Sequence, residues 1–218
     1  MSRKTIPGLP DLNICTIYCI GRNYVEHAHE LNSEVPDQPM VFLKPASSVI
    51  FDGDTIHLPA QSNNVHHEVE LITVIAKGGK NIPEETALEH AAGYGVGIDV
   101  TARDIQQQAK QKRHPWAVAK GFDTFAPISK FVAATEIRDP QNIELSISVN
   151  GEERQHDNTN LMIFPVAKLI SYLSGIFTLH PGDMIFTGTP KGVSPIQSGD
   201  KIEATLDKTL AKLRVNVQ

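Results

Sequence analysis

Three carboxylates lie inside stretches that otherwise read as buried strand: Glu68 and Glu70 in His-His-Glu-Val-Glu-Leu, and Asp99 in Gly-Ile-Asp-Val. A charge set among Val, Ile and Leu is costly unless it is paired, so the fold must bring these acids a partner or turn them to water. Two readings follow. In one, the strand is a solvated edge and its Glu side chains face outward. In the other, Glu68 and Glu70 leave one face of a strand about 6.5 Å apart along it. With Asp99 from a neighbouring strand end they would take one side of an octahedron around Mg2+ or Mn2+, leaving positions for water and substrate. Such a site keeps one negative charge in excess, which a nearby Lys would offset. His66 and His67 raise a Zn2+ alternative, but adjacent strand residues face opposite sides and do not readily ligate one ion. Each reads better as a surface or supporting His.

The 218 residues, 40% of them hydrophobic, suit one globular domain over 1–218 with a sizeable core. The net charge of -5 is spread thinly, with no basic block, which argues against a nucleic-acid partner. No apolar run approaches the roughly 20 residues that span a bilayer, so no membrane partner is expected. The start, Met-Ser-Arg-Lys-Thr-Ile-Pro-Gly, lacks the apolar stretch of a secretory signal. Cys15 and Cys19 are the only cysteines. On an extended strand they would stand about 13 Å apart, too far for a disulfide. Free thiols suggest a reducing compartment, and cytoplasm is the expected location.

The hydrophobic pattern predicts strands at Ile14–Ile20, Met40–Leu43 and Thr55–Leu58, and a short helix at Tyr24–Leu31. Val65–Ala76 reads as one long strand, apolar on both faces in its second half and therefore central to a sheet. Pro83 opens a helix running to about Ala92. Tyr94–Val100 returns as the strand carrying Asp99. Thr101 and Asp104 resemble the N-cap and N3 acid of a helix over Arg103–Lys112. Ile143, Leu145, Ile147 and Val149 alternate with polar residues ahead of Asn150-Gly151, a strong hairpin signal. Val166, Leu169, Ile170 and Leu173 have helical spacing after Pro165, with Gly175 as the stop. Leu213, Val215 and Val217 alternate at the end of the chain. Strands outnumber helices and do not alternate regularly with them, so the fold class is α+β, mainly β: a mixed roll rather than a doubly wound sheet.

Five blocks then occur in a recognisable order: Gly21-Arg22-Asn23-Tyr24, Phe42-Leu43-Lys44-Pro45, His67-Glu68-Val69-Glu70-Leu71, Gly97 to Asp104 (Gly-Ile-Asp-Val-Thr-Ala-Arg-Asp), and Gly188-Thr189-Pro190-Lys191-Gly192-Val193. Together they resemble the fumarylacetoacetate hydrolase family, closest to its short single-domain acylpyruvase-like members, over nearly the whole chain. The resemblance implies the mixed β-sheet roll of that family's C-terminal domain with a few short helices, usually as a homodimer. It also implies Mg2+ or Mn2+ on Glu68, Glu70 and Asp99, and a small oxo-acid substrate contacted by Arg103, Gln106, Lys120 and Thr189.

Each role has a physical rationale. His27 and Glu30, three apart, would be neighbours on a helix, where the carboxylate orients the imidazole to take a proton from water. The short members that this segment resembles carry such a dyad on a lid. On pattern alone, Glu26, His27, His29 and Glu30 equally describe a solvated helix, and His29 faces elsewhere. Lys120, after the apolar Trp-Ala-Val-Ala lead-in, would stabilise an enolate as it forms, or would simply reach solvent from a strand end. Arg103 could fork onto a substrate carboxylate, or serve as a partner of Asp104 or Asp99. Lys44 could brace the carboxylates from behind. The Gly188–Gly192 loop could offer N–H groups and a hydroxyl to an anion, but it lacks the features of a P-loop.

The expected activity is metal-dependent hydrolysis of the C–C bond of 2,4-dioxo acids (acylpyruvates) to pyruvate and a carboxylic acid. Decarboxylation of oxaloacetate, or isomerisation or decarboxylation in aromatic-compound breakdown, would use the same metal–enolate site. A metal- or ligand-binding domain without turnover is the remaining alternative.

Overall fold

The computed structural model describes residues 4–30 and 34–218. Its largest sheet has eight strands. Seven run in the order Met40–Lys44, Ile17–Gly21, Met184–Phe186, Val69–Ile75, Ala91–Ile98, Ala126–Ile128 and Val49–Phe51, while Val132–Ala133 also pairs with Ala91–Ile98. The sheet is mixed: Met184–Phe186 lies parallel to Ile17–Gly21, and Ala126–Ile128 parallel to Val49–Phe51, among antiparallel neighbours. Every residue of Val69–Ile75 is buried, as its two apolar faces require of a central strand.

A second, five-stranded sheet runs Glu152–Asn158, Glu144–Val149, Lys201–Leu206, Ala211–Val217, Thr55–Ile56. Its alternating strands bury one face only, most regularly in Ala211–Val217. Leu145, Ile147, Ala204, Leu206 and Leu213 from that face join Leu71, Val96 and Ile98 of the large sheet in one core. Ile17, Cys19, Ile72, Val74, Met184 and Phe186 form a further apolar cluster. Asn150 and Gly151 both take positive φ, 54° and 82°, as a two-residue hairpin turn of this kind requires.

Four short helices complete the roll: α1 (Val25–Glu30), α2 (Arg103–Lys112), α3 (Ala117–Lys120) and α4 (Val166–Ile176). In α4 the predicted stripe Val166, Leu169, Ile170 and Leu173 is buried against the segment 84–90. The fold is therefore the mainly β, α+β roll expected, with several local corrections. The long strand is interrupted at Glu68: Val65–His67 joins a small sheet with Thr101–Ala102 and Ser194–Pro195, and Val69–Ile75 joins the large one. The segment after Pro83 is a 3-10 helix over Glu84–His90, because Ala91 and Ala92 are drawn into the sheet. Thr101 does not cap α2, since its hydroxyl donates to the Asp99 carbonyl and Ala102 occupies the cap position. Gly175 lies within α4 rather than ending it. The first large-sheet strand starts at Ile17, and the Leu31 end of the predicted lid helix lies outside the described residues.

Candidate active site

The break at Glu68 is what brings the acids together. There the Val69 N–H leaves the strand ladder for the Gln155 side chain (3.0 Å), and the Asp99 N–H donates to the Glu68 carbonyl (2.8 Å). Glu68, Glu70 and Asp99 are all buried, and each presents an oxygen within 4.8 Å of the others. The solvated-edge reading is thereby corrected.

Three cations surround them. Lys120, at the end of α3, is buried and donates to Glu68 Oε2 (2.8 Å) and Asp99 Oδ2 (2.5 Å). Burial alone would lower its pKa, but Asp99 and Glu68 outweigh that and hold it above the usual lysine value. Arg103 bonds Glu68 Oε1 and donates to Gln106 Oε1 (2.7 Å), so its carboxylate partner is neither Asp99 nor Asp104. Lys44 Nζ stands 2.7 Å from Asp99 Oδ1, bracing it from behind. Its donors go instead to the carbonyls of Val100, Lys120 and Phe125. An ammonium has three hydrogens, and Asp99 Oδ1 accordingly remains buried with no hydrogen bond.

That orphaned oxygen fits a cation, and Glu70 fits one better still. Its hydrogen bond comes from the Gly188 N–H (2.8 Å), and no Lys or Arg among the described residues lies within ion-pair distance. Burial first, then the charges of Asp99 and Glu68, hold its carboxyl well above the usual range. Glu68 moves the other way: burial raises it, but Lys120 and Arg103 more than compensate and hold it well below. Three acids face three bases, so a hard divalent ion would leave two positive charges, enough for a substrate carrying a carboxylate and an enolate oxygen. The donor set is all oxygen, as Mg2+ and Mn2+ prefer.

The predicted dyad forms beside this cluster. His27 Nδ1 lies 3.1 Å from Glu30 Oε2, and buried His27 lines the same pocket as the three acids, Arg103, Gln106, Lys120 and Thr189. The helix is held down by the 188–193 loop: Gly192 N–H donates to Glu30 Oε1 (3.0 Å) and Lys191 to Glu26 (2.5 Å). His66 and His67 stay off the acids. His67 bonds Gln155 and Ser194, while His66 bonds Asn64 and is pushed down to about 4, chiefly by burial.

Pattern reading missed two buried amides that hold this site. Asn23 spans Thr187 O, Phe164 O and Phe164 N, fixing the entry to α1. Gln155 takes His67 and the Val69 N–H on its oxygen and gives its amide to Thr189 Oγ1 and Pro190 O. The sequence carries no signal for it, because the strand Glu152–Asn158 is polar throughout and Gln155 is its one buried residue. Gly188 is equally constrained. At φ 99° a Cβ there would sit 2.6 Å from Asn23 Cβ. Gly188→Ala is expected to cost about 1–3 kcal/mol, read as a Tm lowered by several degrees. Cation affinity should fall with it as the N–H to Glu70 shifts; an unchanged melt and titration would contradict this.

A family model, the fumarylacetoacetate hydrolase C-terminal domain, matches residues 16–218. The chain belongs to the fumarylacetoacetate hydrolase family. Among that family's members, the mitochondrial oxaloacetate tautomerase of Arabidopsis thaliana is 50% identical over 188 residues, 86% of this chain and 84% of its own. The mitochondrial oxaloacetate decarboxylase of Dictyostelium discoideum is 48% identical over 188 residues, 86% of each. The crystal structure of fumarylpyruvate hydrolase from Pseudomonas aeruginosa, in complex with Mn2+ and pyruvate, superposes with a TM-score of 0.93 at 38% identity, over 99% of this chain and 95% of that one. Family relatives are thus hydrolases, decarboxylases and tautomerases, and a divalent cation accords with the acidic triad. No helix among the described residues is long and apolar enough to cross a membrane.

Proposed function

We propose that this protein is a metal-dependent hydrolase of small 2,4-dioxo acids, cleaving acylpyruvates to pyruvate and a carboxylic acid. The observation that carries this reading is the His27–Glu30 dyad sharing one pocket with the acidic triad and Lys120. A Mg2+ or Mn2+ ion on Glu68, Glu70 and Asp99 would supply Lewis acidity to the substrate's carboxylate and 2-oxo oxygens.

The protein's own groups do the rest. With Nδ1–H donated to Glu30, the His27 imidazole keeps Nε2 free to accept a proton. It takes that proton from a water attacking the distal C4 carbonyl. As the C3–C4 bond breaks, its electron pair passes into a pyruvate enolate, whose charge the Lys120 ammonium offsets. His27 returns the proton to C3, and the acyl group leaves as a carboxylic acid. Gln106, Thr189 and Arg103 orient the substrate's carboxylate end.

A second reading, tautomerisation or decarboxylation of oxaloacetate, is favoured by the relatives at 48–50% identity. It uses the same enolate and Lys120 but needs no attacking water. We further read residues 1–218 as one catalytic domain acting as a homodimer in the cytoplasm, in keeping with buried Cys19 and half-buried Cys15 as free thiols.

The test is a panel of acetylpyruvate, longer acylpyruvates and oxaloacetate, with Mg2+ present and pyruvate read enzymatically. Pyruvate released fastest from an acylpyruvate supports hydrolysis. Release from oxaloacetate alone supports the second reading. No pyruvate from any substrate and no acceleration of the keto–enol exchange of oxaloacetate, with cation binding intact, would refute both.

A further inference from the structure

Gln155 enters the core from an irregular stretch of its hairpin. Ile147 opposes Gln155 and Ser148 opposes Glu153, so Arg154 between them is left without a partner. A bulge of this kind re-aims the side chains beside it, and Gln155 turns inward while Glu153 and Arg154 stay exposed. The 188–193 loop lies directly on the bulge: a Cβ on Gly192 would sit 2.2 Å from the Arg154 carbonyl oxygen.

The polarity of the Gln155 amide is fixed from both ends. A backbone N–H only donates and a carbonyl only accepts. The Val69 N–H (3.0 Å) therefore identifies the amide oxygen, and the Pro190 carbonyl (2.8 Å) identifies the nitrogen. His67 Nδ1, 3.0 Å from that same oxygen, is then the donor of its pair. The second hydrogen on Nε2 goes to Thr189 Oγ1 (2.8 Å). This hydroxyl accepts, so its own single hydrogen is left over. Thr189 donates to no group among the described residues, yet it is buried in the wall of the pocket that holds the acidic triad. A buried donor left unmade is costly, and a hydroxyl that already accepts one bond is polarised to donate the next more strongly.

We propose that Gln155 is a positioning residue that makes the Thr189 hydroxyl an obligate donor to an anionic oxygen of the substrate. The proposal rests on the reading above, in which an oxo acid occupies the pocket beside the triad. The same amide holds Val69, which lies between Glu68 and Glu70, while Gly188, next to Thr189, donates to Glu70. One buried side chain thus sets the substrate's donor and the metal ligands in a common frame.

Calorimetric titration with oxalate, a dianion that chelates Mg2+ and has no bond the proposed chemistry breaks, tests this. With Mg2+ saturating, Thr189→Val should weaken oxalate by about tenfold to a hundredfold, as for one hydrogen bond to a charged group. Thr189→Ser should restore most of that affinity. Gln155→Glu keeps an oxygen for Val69 but sets a second one, in place of the NH2, against Thr189, so the hydroxyl turns to it and away from the ligand. This variant should lose at least as much as Thr189→Val, and the double variant should bind no more weakly than the worse single one. Should Gln155→Glu not fold, Gln155→Met, of similar length and without either polar end, takes its place in the same cycle. Losses that multiply, or native affinity in the Gln155 variant, would overturn the proposal. In turnover the loss should fall in KM with kcat little changed, because the bond is made equally to bound substrate and transition state. A fall in kcat alone would mark a disturbed metal site and count against it. If the oxalate cycle behaves as stated but no 2,4-dioxo acid or oxaloacetate reacts, the activity reading fails and the role of Gln155 stands. Turnover with multiplying losses would do the reverse.

Discussion

Glu70→Gln is expected to abolish saturable Mg2+ and Mn2+ binding and all turnover, while leaving the metal-free protein folded. Glu70 is the acid of the triad with no Lys or Arg in ion-pair distance among the described residues, so a cation is the charge that compensates it. Loss of an outer partner of a metal ligand costs roughly 10–100-fold in affinity, and loss of the ligand charge itself should exceed that. The stability effect has the opposite sign. Burial first, and then the charges of Asp99 and Glu68, hold the Glu70 carboxyl well above the ordinary glutamate range. The folded state therefore retains a proton that the unfolded chain releases as pH rises. Stability falls wherever the native state binds the extra proton, so this group destabilises the metal-free protein progressively above about the ordinary glutamate pKa. Melts of native and Glu70→Gln protein with a chelator present should diverge with rising pH, the variant becoming the more stable. Added Mg2+ should reverse the order by stabilising only the native protein. Parallel melting curves across pH, or undiminished cation binding by the variant, would contradict this assignment.

His27→Ala is expected to separate the two chemistries. If His27, held through Nδ1 by Glu30, activates water, hydrolysis of acylpyruvates should fall by about 10²–10⁴-fold in kcat, the usual span for a general base. Decarboxylation of oxaloacetate needs the cation and Lys120 but no attacking water, so it should survive within about tenfold of native. Glu30→Gln should show a smaller loss of hydrolysis, because the Gly192 N–H still anchors residue 30 while the charge that orients the imidazole is gone. KM should change little in both variants. Equal loss of both activities in His27→Ala would refute this division of labour and make His27 a proton carrier for the enolate itself.

How much of this was legible in the residues depended on how local the cause is. The second sheet was readable because its strands alternate at period two and Asn150-Gly151 supplies a turn that needs positive φ at both positions. The triad was readable because carboxylates amid Val, Ile and Leu are anomalous wherever they occur. Lys120 and Thr189 emerged from the resemblance, since a lone Lys after an apolar run and a Gly-Thr-Pro turn carry no chemistry of their own. The interruption at Glu68 was hidden for another reason. Val69 leaves the ladder for Gln155, a residue 86 positions away. No periodicity in the 65–76 segment records such a partner. The 84–90 segment misled because Pro83 and two acids signal a helix start, whereas the pull of Ala91 and Ala92 into the sheet decides the outcome.

Diffraction from crystals grown with Mn2+, collected at the manganese edge, would measure the location of the cation directly. The account predicts one anomalous peak per chain in the Ile20–Lys120 pocket, bonded to an oxygen from each of Glu68, Glu70 and Asp99. A peak elsewhere, or none at a concentration that saturates binding in solution, would leave these acids without their ion and the proposed chemistry without its centre.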